Sequence, residues 1–354
     1  MKDLEVGPLL SEPNELHPSP KSQPDAELEN VREQLVAEGC FEASRLYYAR
    51  KVLEIVLFWA TAALLLFHGQ VVLASVSMAL MWQQGGWMSH DLAHNCFFRR
   101  NRKANARMLL LTGAITIGFS PEWWKGKHNY HHAVPNEVDN VGNPVDPDID
   151  TLPVLAWDSS IASHALSAFK PALRHQQFLL APALAVARAS WLTQSLLKAV
   201  HDARAKDGSI NELLCLCGHH LSTFAFAAVL APAPAAAVTF YLAAQCIGGI
   251  VLGSAFVVSH NGKEVHTGKE GFVAEQVATT RNVNRGAFNN WFMGALNMQV
   301  EHHLFPTLPR HSLPRAAELV KQLCNRNGLL YEDVGLLEAF GLVHKHLKAV
   351  AKAI

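Results

Sequence analysis

Three histidines fall within five residues at His128-Asn129-Tyr130-His131-His132. Offsets of three and four share one face of a helix, because a turn takes about 3.6 residues. His131 and His132 are adjacent, so their side chains diverge by about 100° and one segment can serve two metal ions. His90-Asp91-Leu92-Ala93-His94 supplies an i, i+4 pair. Gln299-Val300-Glu301-His302-His303 repeats the spacing, with Gln299 where a first histidine would stand. A lone i, i+4 pair is a weak signal. Three such clusters, in a chain with 19 histidines, predict one shared metal centre. Two further candidates stay open. His260 could be an extra ligand or a histidine at the membrane interface, and Gln299 could be an amide-oxygen ligand, a water-mediated ligand or a gate residue.

Eight histidines (90, 94, 128, 131, 132, 260, 302 and 303) could thus form the immediate surroundings of two ions. Neutral imidazole suits iron, zinc, copper and nickel. A structural zinc closes with four ligands and favours cysteine. Several histidines on each of two ions suit redox work better: a di-iron centre can reduce dioxygen and oxidise an unactivated C–H bond, while the protein supplies position and excludes water. Asp91, Glu301 and Asp146 or Asp148 are candidates to accept N–H bonds from the ligand imidazoles, with solvated carboxylates as the alternative. Trp123-Trp124 and Trp291-Phe292 could line an acyl tunnel or sit at the headgroup level.

Such a centre needs helices that bring distant segments to one membrane face. Of 354 residues, half are hydrophobic and 17% charged, below the usual ~25%. The formal net charge is zero, so nothing points to nucleic acid. Six scattered cysteines give no disulfide framework. The proline-rich residues 1–30 are expected to be disordered, and 31–354 to form a single membrane domain, opening with a surface helix over 31–51 anchored by Tyr47 and Tyr48. Apolar runs predict spans at about 52–67, 71–89, 213–230 and 235–259, paired as two hairpins with uncharged turns. His219 and His220 fall inside the third span, as a buried or tunnel-facing pair.

Arg45, Arg50 and Lys51 precede the first hairpin, and Arg99, Arg100, Arg102, Lys103 and Arg107 follow it, which places both ends in the cytosol. Residues 108–119 are too short for a span and read as a re-entrant or buried helix. Residues 161–207 read as amphipathic helices on the membrane surface. The expected fold is an all-α integral membrane protein: four transmembrane helices in two hairpins, with a cytosolic helical cap holding the histidines.

These motifs resemble the membrane fatty acid desaturases, and among them the front-end acyl group. The resemblance runs over about residues 40–345. It is carried by Gly86-Trp87-Met88-Ser89-His90-Asp91, Gly118-Phe119-Ser120-Pro121-Glu122-Trp123-Trp124-Lys125, Lys127-His128-Asn129-Tyr130-His131-His132-Ala133-Val134-Pro135-Asn136 and Asp146-Pro147-Asp148-Ile149-Asp150-Thr151. Ser259-His260-Asn261-Gly262, Thr279-Thr280-Arg281-Asn282-Val283 and Gln299-Val300-Glu301-His302-His303-Leu304-Phe305-Pro306 complete it. A glutamine opening the third box is typical of the front-end group and of sphingolipid long-chain-base desaturases.

The resemblance implies two iron ions, O2 as co-substrate, and insertion of a cis double bond between an existing one and the carboxyl end of an acyl chain. The substrate would be an acyl lipid or acyl-CoA, with a sphingoid-base or ceramide desaturase or hydroxylase as the alternative. It implies residence among the membrane lipids of the endoplasmic reticulum, or of a plastid. The family's histidines carry over onto His90, His94, His128, His131, His132, His302 and His303, and onto His260. His17-Pro18-Ser19-Pro20 only echoes the haem motif of a fused cytochrome b5 domain, so electrons are expected from a separate cytochrome b5 or ferredoxin.

Overall fold

A computed structural model describes residues 22–206, 208–268 and 271–354. It is mostly helical. Ser22 caps the first helix, α1 (Gln23–Ala37), accepting from the Asp25 amide, with Pro24 in its first turn. The expected disorder of residues 22–30 is thereby corrected: 23–30 form the first half of α1, Asp25 accepts from the Val273 amide, and Arg326 on a later helix pairs with Glu27. Residues 1–21 lie outside the described part.

Helices α2 (Arg45–Phe67) and α3 (Val71–Ala93) follow, joined by the turn His68-Gly69-Gln70. They are antiparallel: Tyr48 meets Asp91, and Ser77 donates to the Phe58 carbonyl. Tyr48 is buried, not a headgroup anchor, because its hydroxyl donates to the Asp91 carboxylate at 2.7 Å. Helix α4 (Arg102–Leu109) runs directly into a π-helical stretch, Leu110–Ile117, which Gly118 ends at φ +83°. The pattern 108–119 is therefore helical but wound wide, and π-helices cluster at functional sites. A side chain on Gly118 would need a left-handed backbone and would strike the His219 ring. Ser120 then caps α5 (Pro121–Ala133), accepting from the Trp123 amide, with Pro121 in the first turn.

Two short helices, α6 (Ser159–Ser163) and α7 (Lys170–Leu173), lead to α8 (Gln176–Arg204). Helices α9 (Asn211–Leu230) and α10 (Pro234–His260) are each long and apolar enough to cross a membrane, with mean hydropathy 1.7 and 1.9. Helix α10 runs parallel to α3, because Ser75 donates to Phe240 O and Gln83 to Val251 O, while Trp87 packs on Phe256. Both helices therefore carry their histidines, His90 and His260, to the same end. The turns at the opposite end also meet: a side chain on Gly69 would lie 3.8 Å from the Pro232 ring.

Residues 161–207 are expected to form amphipathic helices, and α8 is one: a single face, with Gln176, Arg188, Leu192, Ser195 and Ala199, packs into the fold, chiefly against α10, while Phe178, Val186 and Leu197 are exposed. Glycine makes this possible: a Cβ on Gly249 of α10 would lie 2.4 Å from the Leu184 carbonyl. Small residues four apart, Gly249 and Gly253, let the two backbones approach closely.

The remaining chain forms α11 (Phe272–Ala278), α12 (Ala287–Phe292), α13 (Gln299–Leu304), α14 (Leu313–Arg326) and α15 (Leu336–Ala351). The all-α expectation needs one amendment. Strand β1 (Asn282–Val283) pairs in parallel with β2 (Asp333–Val334).

Candidate metal centre

Each histidine sits at a helix end. His90 and His94 close α3, His128, His131 and His132 occupy the last turns of α5, His260 ends α10, and His302 and His303 lie on α13. All eight come together. Two groups form, each with ligand atoms within 4.8 Å of one another: His90, His94, His128 and His302, and His131, His260 and His303. His132 stands at the join. Its Nε2 lies 3.1 Å from His128 Nε2, and its ring stacks on His303 at 4.1 Å. Gln299 reaches the second group through His260, with Nε2–Nε2 3.3 Å.

Imidazole nitrogens face one another at hydrogen-bond range: His90 and His128 at 3.2 Å, His131 and His260 at 3.4 Å. Buried and without a hydrogen-bond partner are His94 Nε2, His302 Nε2 and His303 Nε2, together with the Nδ1 atoms of His90 and His132. Buried polar atoms are normally paired. The orphaned Nε2 atoms of His94, His302 and His303, all members of the two groups, fit cations. The charge state agrees: burial pushes His94, His128, His132, His302 and His303 well below the ordinary histidine value, keeping them neutral as ligation requires. His131 differs. Burial pulls it down, but the Asp146 and Asp148 charges outweigh that and raise it.

The surroundings fix ring orientation. The Asp146 carboxylate lies 2.9 Å from His131 Nδ1 and accepts from the Asn136 and Asp148 amides, as expected of it. Asp91 and Glu301 behave otherwise. Asp91 is held by Arg310 at 2.7 Å and by Tyr48, with His90 Nδ1 at 3.8 Å. Glu301 accepts from Asn282 and Tyr331, no imidazole sharing it, and burial pushes it up to about 7. Both carboxylates tie histidine boxes to the scaffold instead of to ligand rings.

Sequence reasoning missed Gln276. Its Oε1 lies 2.7 Å from His303 Nδ1, and its Nε2 donates to the His132 carbonyl. A neutral amide oxygen accepts one proton there, so Nδ1 carries hydrogen and Nε2 keeps its lone pair for the centre. It also missed Arg310, whose pairing with Asp91 joins the first box to the segment behind the third. Trp124 stacks on His128 at 4.2 Å. Trp291 donates to Glu54 on α2, while Trp123 packs beside Phe119. His219 is buried as anticipated, with Nδ1 2.9 Å from the Ile115 carbonyl, and His220 meets the Tyr241 hydroxyl.

The comparisons agree with this geometry. The fatty acid desaturase family model matches residues 66–335. Among curated relatives, an acyl-lipid (9-3)-desaturase from Physcomitrium patens is 37% identical over the whole of this chain and 67% of its own length. A Delta(8)-fatty-acid desaturase from Euglena gracilis is 30% identical over 91% of this chain and 78% of its own. A Delta(6)-fatty-acid desaturase from Caenorhabditis elegans is 30% identical over 92% and 75%. Eight converging histidines and these matches together place the chain in the fatty acid desaturase family.

Proposed function

We propose that this chain is a membrane-bound front-end acyl desaturase using two iron ions and O2. The observation that carries the reading is the convergence of eight histidines, seven of them in two adjoining groups and His132 at the join. Helices α2, α3, α9 and α10 are read as four membrane spans, about 52–67, 71–89, 213–230 and 235–259. Parallel α3 and α10, and the touching turns at Gly69 and Pro232, support a common face for the histidines. That face is cytosolic on the distribution of arginine and lysine, in an endoplasmic reticulum or plastid membrane.

His90, His94, His128 and His302 would hold one ion, and His131, His260 and His303 the other, with His132 and Gln299 at hand. Bound there, iron supplies the O2 chemistry that oxidises a C–H bond. The chain's own contribution is placement. Asp146 and Gln276 fix the rings of His131 and His303, and the buried surroundings exclude water. Electrons would come from a separate cytochrome b5 or ferredoxin. The exposed residues Arg99, Arg100, Arg102 and Lys103, next to the first box, give an acidic donor a place to dock.

Relatives named as acyl-lipid and fatty-acid desaturases favour an acyl chain over a sphingoid base. The test is expression in a host fed defined polyunsaturated acids, with double-bond positions read by mass spectrometry. The expected product carries a new cis bond between an existing one and the carboxyl end. His131→Ala should abolish it while the protein stays in the membrane. New bonds only in sphingoid bases, or none with any acid supplied, would overturn the proposal.

A further inference from the structure

Helices α3 and α10 end in histidines of the centre, whereas α9 contributes none. Its polar side chains meet instead the segment that leads into the second histidine box. Near the start of α9, the half-buried Glu212 accepts from two donors at the head of α5. Its Oε2 accepts from the Ser120 hydroxyl, and its Oε1 from the Glu122 amide at 3.2 Å. Seven residues further on, about 10 Å along the helix, His219 Nδ1 donates to the Ile115 carbonyl at 2.9 Å. The His219 ring fills the space beside Gly118. From α8, Arg188 Nη2 donates to the Ile117 carbonyl.

The chain changes its winding at this place. The π-helical turns end at Ile117 and the α-helical turns begin at Pro121. Carbonyls before the break and amides after it therefore lack partners within their own helix. The Ile115 and Ile117 carbonyls and the Glu122 amide are claimed by three side chains from α8 and α9. Glu212 does more than capping requires. Ser120 already caps α5 by accepting from the Trp123 amide. A carboxylate that grips both the cap hydroxyl and a second amide fixes the helix against its neighbour, in rotation and in height. The positive end of the helix dipole favours a carboxylate there.

Helix α5 is thirteen residues long and supplies three of the eight histidines. His128 goes to one group, His131 to the other, and His132 stands at the join. At the far end of the helix, Asp146 orients His131. A rod this short is fixed when both ends are held. Released at its head, it would turn all three rings together.

We propose that Glu212 is a positioning residue for the metal centre: through the Ser120 hydroxyl and the Glu122 amide it sets the rotation of α5, and so places ligands for both ions. His219 holds the same register one level deeper. The proposal rests on the metal-centre reading. It goes further by giving α9, a helix without ligands, a part in building the centre.

The test reads metal binding without turnover. Purified full-length protein, freed of metal, is titrated with Co(II), whose visible absorption reports the arrangement of its ligands. Wild type, Glu212→Ala and Glu212→Asp are compared, and thermal unfolding of the metal-free proteins is followed alongside. Glu212→Ala should bind cobalt about tenfold more weakly, since the metal must then order the helix head that the carboxylate held. Because α5 feeds both groups, both cobalt steps should weaken and the absorption should change.

A role confined to stability gives a different result: a lower unfolding temperature, with cobalt affinities and absorption as in the wild type. That outcome would overturn the proposal. Glu212→Asp keeps the charge but is one methylene too short to reach both donors, and it decides the matter where Glu212→Ala does not fold. Wild-type affinities and absorption in Glu212→Asp overturn the proposal, and a change in both steps supports it. A wild type that takes up no cobalt sinks the metal-centre reading and the proposal with it, whereas variants indistinguishable from a cobalt-binding wild type sink the proposal alone.

Discussion

At the scale of the residue, the centre depends on side chains that hold rings in place. Gln276 is the clearest case, since one amide both accepts from His303 and ties down the His132 carbonyl. Gln276→Leu should lower metal affinity about 10–100-fold, the usual effect of losing such a partner. Metal titration of the purified protein checks it. Arg310 and Asp91 form a pair with both side chains 1% exposed. Arg310→Met strands a buried carboxylate and should destabilise by about 3–5 kcal/mol in chemical denaturation. Replacing both partners with apolar residues should recover much of that.

The histidines themselves were legible in the sequence, because helix geometry fixes how ligands on one face must be spaced. Their supporters were not. Gln276 is 27 positions from His303, Arg310 is 219 from Asp91 and Tyr48 is 43 from it, and no periodicity links them. The same blindness leaves Asp91 and Glu301 open in the sequence, as partners of imidazoles or as solvated carboxylates: proximity in sequence says nothing about the arginine, asparagine and tyrosines that hold them.

At the scale of the element, glycine decides how close helices come. Gly118 ends the π-helical stretch in a conformation and a space that exclude a side chain. Gly118→Ala should cost about 1–3 kcal/mol from backbone strain alone, with more from displacing His219, measured as a fall in thermal stability. Helix α8 shows what composition leaves out. Its mixed polarity marks it as amphipathic, but the polar Gln176, Arg188 and Ser195 lie on the buried face, while Phe178 and Leu197 are exposed. Only the glycines on α10 announce the close packing, and they do not name their partner.

Two charges at the end of α10 offer a pH test. Burial pushes the Glu332 carboxyl up, but Lys263 and Arg281 outweigh it, and the net shift is downward. A carboxyl lowered in the folded state stabilises above its unfolded value, and that stability is lost as pH falls through the folded value. Glu332→Gln should therefore be less stable near neutrality and show a shallower acid loss, as followed by thermal unfolding against pH.

At the scale of the whole molecule, the function requires that segments about two hundred residues apart meet at one face. The expected hairpins anticipated this by parity alone. The fold achieves it by running α3 parallel to α10, so that His90 and His260 finish side by side. The short β1–β2 pairing and the inward α8 could not be read beforehand, because both depend on contacts between distant parts of the chain.

Metal content tests the central claim most directly. Elemental analysis with Mössbauer spectroscopy on the purified full-length protein should find two irons per chain, one for each histidine group, and His131→Ala should lose the iron of its own group first. A protein that holds no iron when fully reconstituted, or that keeps both irons with unchanged spectra after His131→Ala, would contradict it.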